Sequence, residues 1–248
     1  MSVIFYGFLA SLIAGASTGF GALPVLFIKD VSDRLLDVML GFAAGVMLAA
    51  SSFSLLVPAI ELGGVEAASA GLAAGALTIH IIDRYTPHEH IWKGREGHKP
   101  TKLSGLMLMI IAITIHNFPE GLAVGVSFGG RDVARGLLIA LAIGLQNMPE
   151  GLAVAFPLVR EGYSRRRSIW IATLTGLVEP LGGLLGVALV SMASTLLPWG
   201  LAFAAGAMIF VVSDEIIPES HRKGFEREAT FGLIIGFLVM MYLDNILG

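Results

Sequence analysis

Two near-identical phrases in the middle of the chain contain residues that can bind a metal ion. The first runs His116-Asn-Phe-Pro-Glu-Gly-Leu-Ala-Val-Gly-Val126 and the second Gln146-Asn-Met-Pro-Glu-Gly-Leu-Ala-Val-Ala-Phe156, with seven of eleven positions identical. A general excess of apolar residues could repeat Leu, Ala and Val, but it would not repeat Asn-x-Pro-Glu-Gly. The repetition therefore indicates two copies of one functional motif.

Each copy places its polar side chains on one face of a helix. Because a residue advances about 100° around an α-helix, His116 and Glu120 lie about 40° apart, and Asn117 lies about 60° from Glu120. The corresponding arc of the second copy consists of Gln146, Asn147 and Glu150. Pro119 and Pro149 each remove a backbone donor and favour a kink. We expect imidazole, amide and carboxylate ligands to face each other near the middle of the membrane.

The chain that carries these motifs has the composition of a helical membrane protein. Of its 248 residues, 55% are hydrophobic and only 14% are charged, whereas a soluble domain has about 25% charged residues. A membrane-crossing helix needs roughly 20 mainly apolar residues. Eight segments qualify: about 3–27, 36–60, 65–83, 103–128, 134–159, 168–193, 198–219 and 229–247. We therefore predict an all-α, polytopic membrane protein in which residues 1–248 form a single transmembrane domain.

The basic residues predict the orientation of these spans. Fourteen of the sixteen Lys and Arg residues fall in one set of alternate loops, and only Arg131 and Arg135 fall in the other. Since Lys and Arg accumulate on the cytoplasmic side, both termini are expected outside the cytoplasm. The longest connection, about 84–102, is then a cytoplasmic loop that contains histidines.

A buried cation explains the acidic residues of the motifs. A charged residue at the membrane centre costs on the order of 3 kcal/mol, and no Lys or Arg lies in the interior of a predicted span, since Arg135 is only the second residue of the span at 134–159. Protonated glutamates that merely join kinked helices would not account for two copies with His, Asn and Gln alongside. Imidazole with carboxylate suits zinc, iron(II), manganese or cadmium better than calcium or magnesium. The absence of cysteine excludes a thiolate site and disfavours copper(I).

A shorter match links the second and seventh predicted spans. Phe42-Ala-Ala-Gly-Val-Met47 corresponds to Phe203-Ala-Ala-Gly-Ala-Met208, and Ser52 corresponds to Ser213 at the same offset. These spans run in opposite directions, so we expect an inverted repeat of helices 1–3 and 6–8 around helices 4–5. Such a repeat can expose a central site to either side of the membrane in turn.

At the paired motifs the sequence resembles the ZIP (Zrt/Irt-like) family of divalent metal-ion transporters, in particular its bacterial and GufA-like branch. The resemblance extends over essentially the whole chain and implies a transport site between helices 4 and 5, often with two metal positions. His116, Glu120, Gln146 and Glu150 would form one position. Its neighbour would consist of Asn117, Glu120, Asn147, Glu150 and Glu179. Glu179 is a third intramembrane glutamate beside a proline, Pro180, and Asn147 stands where some relatives have Asp.

The resemblance also implies secondary metal-binding residues. Asp214 and Glu215 would form an exit site on the cytoplasmic side, with ordinary interfacial charges as the alternative. His88, His90 and His98 of the cytoplasmic loop would handle or sense metal, unless they are incidental histidines. His80 and Asp83 could join the exit route, although pairing with Arg84 or water is the simpler interpretation.

The expected function is import of a divalent transition-metal cation into the cytoplasm by alternating access, with zinc foremost and iron, manganese or cadmium as alternatives. A selective channel with the same ligands, an intramembrane metalloenzyme and a membrane scaffold are the competing interpretations. An enzyme would use a metal-activated water, but the His-Glu-x-x-His spacing of such sites is missing. The expected partners are the cation and the lipid bilayer, without nucleic acid or a catalytic cofactor, and a homodimer is one option. The absence of an organelle-address segment favours a bacterial inner membrane.

Overall fold

The structure, a computed structural model, describes residues 2–28, 31–86, 88–90, 94–96, 105–130 and 132–247. The α-helices are α1 (Val3–Ala22), α2 (Asp33–Ala49), α3 (Val57–Tyr85), α4 (Gly105–Gly129), α5 (Val133–Arg160), α6 (Arg165–Gly176), α7 (Glu179–Met192), α8 (Leu197–Val211), α9 (Ile217–Ser220) and α10 (Glu226–Leu247). Short 3-10 turns cover Leu23–Leu26 and Ser194–Leu196. Two three-residue strands, β1 (His88–His90) and β2 (Gly94–Glu96), pair antiparallel in the long loop.

Seven helical segments of the described chain are long and apolar enough to cross a membrane. They agree with the prediction of an all-helical integral membrane protein. The longest, Asp33–Tyr85, has 53 residues and would measure about 80 Å if straight, against a hydrocarbon layer of about 30 Å. Its direction changes at Gly64, whose φ of 78° and ψ of 166° are not helical. The two spans predicted at 36–60 and 65–83 lie on either side of this glycine.

The exterior of the helical assembly is apolar, as contact with lipid requires. Phe27 and Met192 are each 85% exposed, and Phe20 is 72% exposed. The interior is instead built from small residues, including Ala43, Ala123 and Ala204, all fully buried. Small interior residues allow helix backbones to approach closely in a membrane, where the contrast between lipid and apolar side chains is weak.

Four helix pairs make the most extensive contacts: α3 with α8, α2 with α10, α4 with α7, and α1 with α5. The first two pairs, α3 with α8 and α2 with α10, form what we call the first group of helices. The other two pairs form the second group: α7 packs against the motif helix α4, and α1 packs against the motif helix α5. Helix α6 also packs against α1 and is counted with this group. The motif helices therefore lie in the second group.

Contacts of the first group recur at a constant displacement along the chain. A Cβ atom added to Gly45 of α2 would lie 1.9 Å from the backbone oxygen of Leu233 in α10. One added to Gly206 of α8 would lie 2.0 Å from the backbone oxygen of Leu72 in α3. The glycines are 161 residues apart, and so are the two leucines.

A contact in the second group shows the same displacement of 161 residues. Gly15 of α1 and Gly176 of α6 are also 161 residues apart, and each packs against the backbone oxygen of the other. A Cβ on Gly15 would lie 2.2 Å from that oxygen, and one on Gly176 would lie 2.1 Å from its counterpart.

Two π-helical turns occupy corresponding places in the matched spans. One covers Ala50–Leu56, between α2 and α3, and the other covers Val212–Ile216, between α8 and α9. They contain Ser52 and Ser213, the serines that the sequence pairs. Single π turns insert a residue into a helix and are frequent at functional sites.

Candidate metal-binding site

The two motifs lie within α4 and α5, which remain helical through Pro119 and Pro149. All six polar side chains of the motifs are inside the protein. Asn117, Glu120, Gln146 and Asn147 are fully buried, and His116 and Glu150 are each 7% exposed. The expectation that both polar arcs face inwards therefore agrees with the structure.

The glycine that follows each motif glutamate permits a close helix contact. A Cβ on Gly121 would lie 2.0 Å from the backbone oxygen of Glu179 in α7, and one on Gly151 would lie 1.9 Å from that of Thr18 in α1. No side chain fits at such a distance. The glycines thus hold α7 and α1 against the motif helices at the level of the glutamates.

Glu179 reaches the site because the segment predicted as one span at 168–193 is interrupted. Helix α6 ends at Gly176, and α7 begins at Glu179, with Pro180 in its first turn. Proline fits the first turn of a helix, where its missing N–H has no helical partner. The Glu179 carboxylate consequently lies at a helix N-terminus, where the helix dipole favours negative charge.

A hydrogen-bonded chain joins three of the predicted ligands. Asn147 Nδ2 donates to Glu179 Oε1 at 2.5 Å and to the backbone oxygen of Ala14 at 2.8 Å. Gln146 Nε2 donates to Asn147 Oδ1 at 2.8 Å. The amide groups of α5 thus position the carboxylate of α7 and leave the Gln146 oxygen available.

His116 is paired with a residue that the sequence analysis assigned to an exit site. His116 Nε2 lies 2.5 Å from Glu215 Oε1, and Glu215 is 5% exposed. Glu215 belongs to the π-helical turn after α8. The neighbouring Asp214 is only partly buried. The structure therefore places Glu215 against the central motif and extends the polar region from α4 towards α8.

Several buried polar atoms of the site have no hydrogen-bond partner in the described part of the chain. They include both carboxylate oxygens of Glu120 and of Glu150, both polar side-chain atoms of Asn117, Gln146 Oε1 and Glu179 Oε2. An unsatisfied buried polar group costs about 1–3 kcal/mol, and a charged one costs more. All of these atoms except the Asn117 Nδ2 donor are acceptors, and a cation would satisfy such a concentration of oxygen atoms together.

The acidic and imidazole groups do not by themselves surround one point. Among the described residues, no three His, Cys, Asp or Glu side chains are grouped closely enough to hold a metal ion. An ion in this arrangement would therefore take amide oxygens or water among its ligands. The sequence predicts such a mixed set, since Asn117, Gln146 and Asn147 accompany the glutamates.

The remaining predicted residues belong to elements other than the motif helices or lie outside the described residues. Asp83 is 7% exposed near the end of α3, and the His80 ring packs edge-on against Phe210, with centroids 5.9 Å apart. His88 and His90 belong to β1. His98 lies outside the described residues.

Thr18 and Asp37 are among the buried polar residues that were not singled out from the sequence. Thr18 of α1 is fully buried, with Oγ1 lacking a hydrogen-bond partner in the described part of the protein. Asp37 of α2 is also fully buried, and its Oδ1 lies 3.7 Å from Lys223 Nζ. The signal for Thr18 was available, because it lies 161 residues before Glu179, the same displacement that separates Phe42 from Phe203.

Comparison with known proteins points to one family. A family model described as ZIP Zinc transporter matches residues 87–244. The chain is 50% identical to "Zinc transporter GufA" of Myxococcus xanthus, with 98% of this chain and 99% of the relative covered. It is 45% identical to "Zinc transporter ZIPB" of Bordetella bronchiseptica, covering 98% and 82%, and 36% identical to human "Zinc transporter ZIP11", covering 100% and 98%.

Proposed function

The chain belongs to the ZIP zinc transporter family, and we propose that it carries zinc into the cytoplasm through the site between α4 and α5. The family consists of transporters, in agreement with the expectation of a transporter rather than an enzyme. The observation that carries the proposal is the pair of buried glutamates, Glu120 and Glu150, whose four carboxylate oxygens have no hydrogen-bond partner among the described residues. A membrane interior tolerates such acids where a cation visits them.

The ligands divide into two neighbouring positions. His116, Glu120, Gln146 and Glu150 hold the ion at the first. Asn117, Asn147 and Glu179 complete the second, with both motif glutamates shared. Imidazole and carboxylate ligands suit zinc, and they also suit iron(II), manganese and cadmium. The names of the relatives favour zinc as the principal ion.

The route continues from the site towards the cytoplasm. The pairing of His116 with Glu215 at 2.5 Å supports Glu215 as the next acceptor of the ion, with Asp214 beside it. An ion that leaves His116 thereby meets a second carboxylate without crossing an apolar gap. The histidines of the loop at 84–102 receive the ion last.

Alternating access follows from an inverted repeat of eight crossings. The contacts of Gly45 and Gly206 are displaced by 161 residues, and so are Gly15 and Gly176. This constant displacement supports predicted crossings 1–3 and 6–8 as the repeated units. The break at Gly64 supports counting Asp33–Tyr85 as two crossings. Two similar half-structures can exchange conformations and expose the central site to one side at a time.

The eight-crossing arrangement also predicts the orientation of the protein in its membrane. With eight crossings in a single transmembrane domain, both termini face outwards, and the loop at 84–102 is cytoplasmic. The fourteen-to-two distribution of basic residues supports this orientation. We place the protein in a bacterial inner membrane.

The direct test is uptake of radioactive zinc by proteoliposomes that contain the purified protein. Glu120→Gln and Glu150→Gln keep the side-chain volume but remove the charge, so the double variant should lose uptake at least about a hundredfold, since ligand loss is severe in metal sites. The matched control is Glu161→Gln, an exposed glutamate one residue beyond α5, which should transport like the parent. Normal uptake by a correctly folded double variant would refute the proposal.

A selective channel with the same ligands is separated by its kinetics. When the vesicles are loaded with unlabelled zinc, a carrier takes up labelled zinc faster because it exchanges one ion for the other. A channel shows no such acceleration. Exchange that depends on Glu120 and Glu150 would identify the carrier.

A further inference from the structure

Thr18 of α1 occupies the place relative to α5 that Glu179 of α7 occupies relative to α4. The backbone oxygen of Thr18 would lie 1.9 Å from a Cβ on Gly151, and that of Glu179 would lie 2.0 Å from one on Gly121. Gly121 and Gly151 are the equivalent glycines of the two motifs. The two contacts are therefore counterparts of each other.

A second pair of contacts gives the same correspondence independently. A Cβ on Gly21 of α1 would lie 2.1 Å from the backbone oxygen of Met148, and one on Gly182 of α7 would lie 2.3 Å from that of Phe118. Gly21 and Gly182 are 161 residues apart, as are Thr18 and Glu179. Helix α1 thus lies on α5 in the register in which α7 lies on α4.

The side chains of the two counterparts differ in what they reach. The Glu179 carboxylate accepts a hydrogen bond from Asn147 at 2.5 Å. Thr18 carries its oxygen two bonds closer to the backbone than a glutamate does. Its Oγ1 is buried without a hydrogen-bond partner among the described residues, and so are both polar side-chain atoms of Asn117, the counterpart of Asn147.

The Glu179 carboxylate is therefore hydrogen-bonded to Asn147, whereas Thr18 Oγ1 and the Asn117 amide have no such partner among the described residues. We propose that Thr18 is a further ion-contacting residue, whose hydroxyl, together with the Asn117 amide, receives the transported cation or a water molecule bound to it. The inference rests on the proposed function, because the ligand is the transported ion. It accounts for two buried oxygen atoms, Thr18 Oγ1 and Asn117 Oδ1, which without a partner would lower the stability of the fold.

The chemistry of this position differs from that of its counterpart. Thr18 and Asn117 offer neutral oxygen atoms, which bind a divalent cation less tightly than the Glu179 carboxylate does. The ion is then held firmly on the side of Asn147 and Glu179 and loosely on the side of Thr18. A loosely held side lets the ion exchange ligands with water when the site opens.

The test compares Thr18→Val with Thr18→Ser in proteoliposomes supplied with zinc chloride. Valine keeps the shape of threonine without the hydroxyl, so the KM for zinc should rise about tenfold, the effect of losing one ion contact. Serine keeps the hydroxyl and should stay within about twofold of the parent. The matched control is Thr175→Val, a buried threonine of α6 whose hydroxyl donates to the backbone oxygen of Ala172 at 2.8 Å, and its KM should not change.

Thermal unfolding in detergent, without added metal, separates an ion contact from a structural role. Because the Thr18 hydroxyl has no hydrogen-bond partner among the described residues, Thr18→Val should leave the Tm unchanged or raise it. A parent-like KM in Thr18→Val, or a lowered Tm together with the KM change, would overturn the inference. If Thr18→Val behaves like the parent while the Glu120/Glu150 variant is inactive, only the role of Thr18 is wrong. If the Glu120/Glu150 variant still transports zinc, the proposed function itself fails.

Discussion

At the scale of single residues, the site combines acids that lack partners with an acid that is firmly held. Asn147 donates to Glu179 Oε1 and to Ala14, so the Glu179 carboxylate has a defined position. Glu120 and Glu150 have no such donors among the described residues. The motif glutamates can therefore adjust to an incoming ion, whereas Glu179 presents a prepared oxygen atom.

His116 connects this site with the next group along the proposed route. Its Nε2 atom lies 2.5 Å from Glu215 Oε1. An ion that binds this nitrogen must therefore also bind the Glu215 carboxylate or displace that carboxylate. An ion that displaces the carboxylate leaves Glu215 within reach for the following step. In the proposed route, the pair would therefore link binding of the ion with its release.

Replacing Glu215 should separate these two steps. Glu215→Gln keeps the shape but removes the acceptor charge, so we expect the maximal rate of zinc uptake to fall about tenfold or more, while the Kd for zinc changes by less than about threefold. Uptake assays and calorimetric titration with zinc chloride measure the two quantities. Glu219→Gln, four residues further along and paired with Arg222 at 3.2 Å, is the control and should leave both unchanged. A Kd change as large as the rate change would contradict the assignment.

At the scale of helices, glycine decides which neighbours the site acquires. Gly121 and Gly151 allow backbone contact with α7 and α1, and these contacts bring Glu179 and Thr18 to the level of the motif glutamates. A larger residue would push the neighbouring helix outwards. The glycine of Pro-Glu-Gly is thus as necessary to the geometry as the glutamate is to the chemistry.

Gly151→Ala should separate α5 from α1. The new Cβ would lie 1.9 Å from the Thr18 backbone oxygen, an overlap that forces helix movement and costs about 1–3 kcal/mol or more. We expect a lower Tm and loss of most zinc uptake. Gly144→Ala, in the same helix, would bring its Cβ only to 3.2 Å from the movable Ser17 hydroxyl and should be tolerated. Equal behaviour of the two variants would show that the close contact does not hold the site together.

At the scale of the whole molecule, two groups of helices carry the same internal correspondence. Helices α2, α3, α8 and α10 repeat their contacts at 161 residues, and so do α1 and α6–α7 around the motif helices. The π-helical turns at Ala50–Leu56 and Val212–Ile216 also correspond. Correspondence at this level supports a molecule built from two halves of opposite orientation.

The proposed topology can be tested by labelling, because the chain contains no cysteine. Glu66→Cys, at an exposed position just after the break at Gly64, should react with a membrane-impermeant maleimide added outside cells. Ser164→Cys, at an exposed position between α5 and α6, should react only after the membrane is permeabilised. The prediction follows from the asymmetry of basic residues between alternate loops. Labelling of both positions from the same side would exclude the eight-crossing arrangement.

Local properties of the chain could be predicted from the sequence alone. The spans expected at 103–128 and 134–159 correspond to α4 at Gly105–Gly129 and α5 at Val133–Arg160. The helical period also identified the six polar residues of the motifs that are buried, and the family resemblance agrees with the comparisons. These properties are readable because hydrophobicity and periodicity depend on neighbours in the sequence.

Only the tertiary structure shows which residues that are distant in the sequence contact each other. The family resemblance implied an exit site at Glu215, with an ordinary interfacial charge as the alternative, and only the structure shows that the π-helical turn brings this residue against His116. The predicted sixth span is broken before Glu179, and the contact of Thr18 with Gly151 identifies Thr18 as the counterpart of Glu179. A helical pattern specifies the face on which a side chain lies, whereas its partner depends on how close two backbones come and in which register they pack.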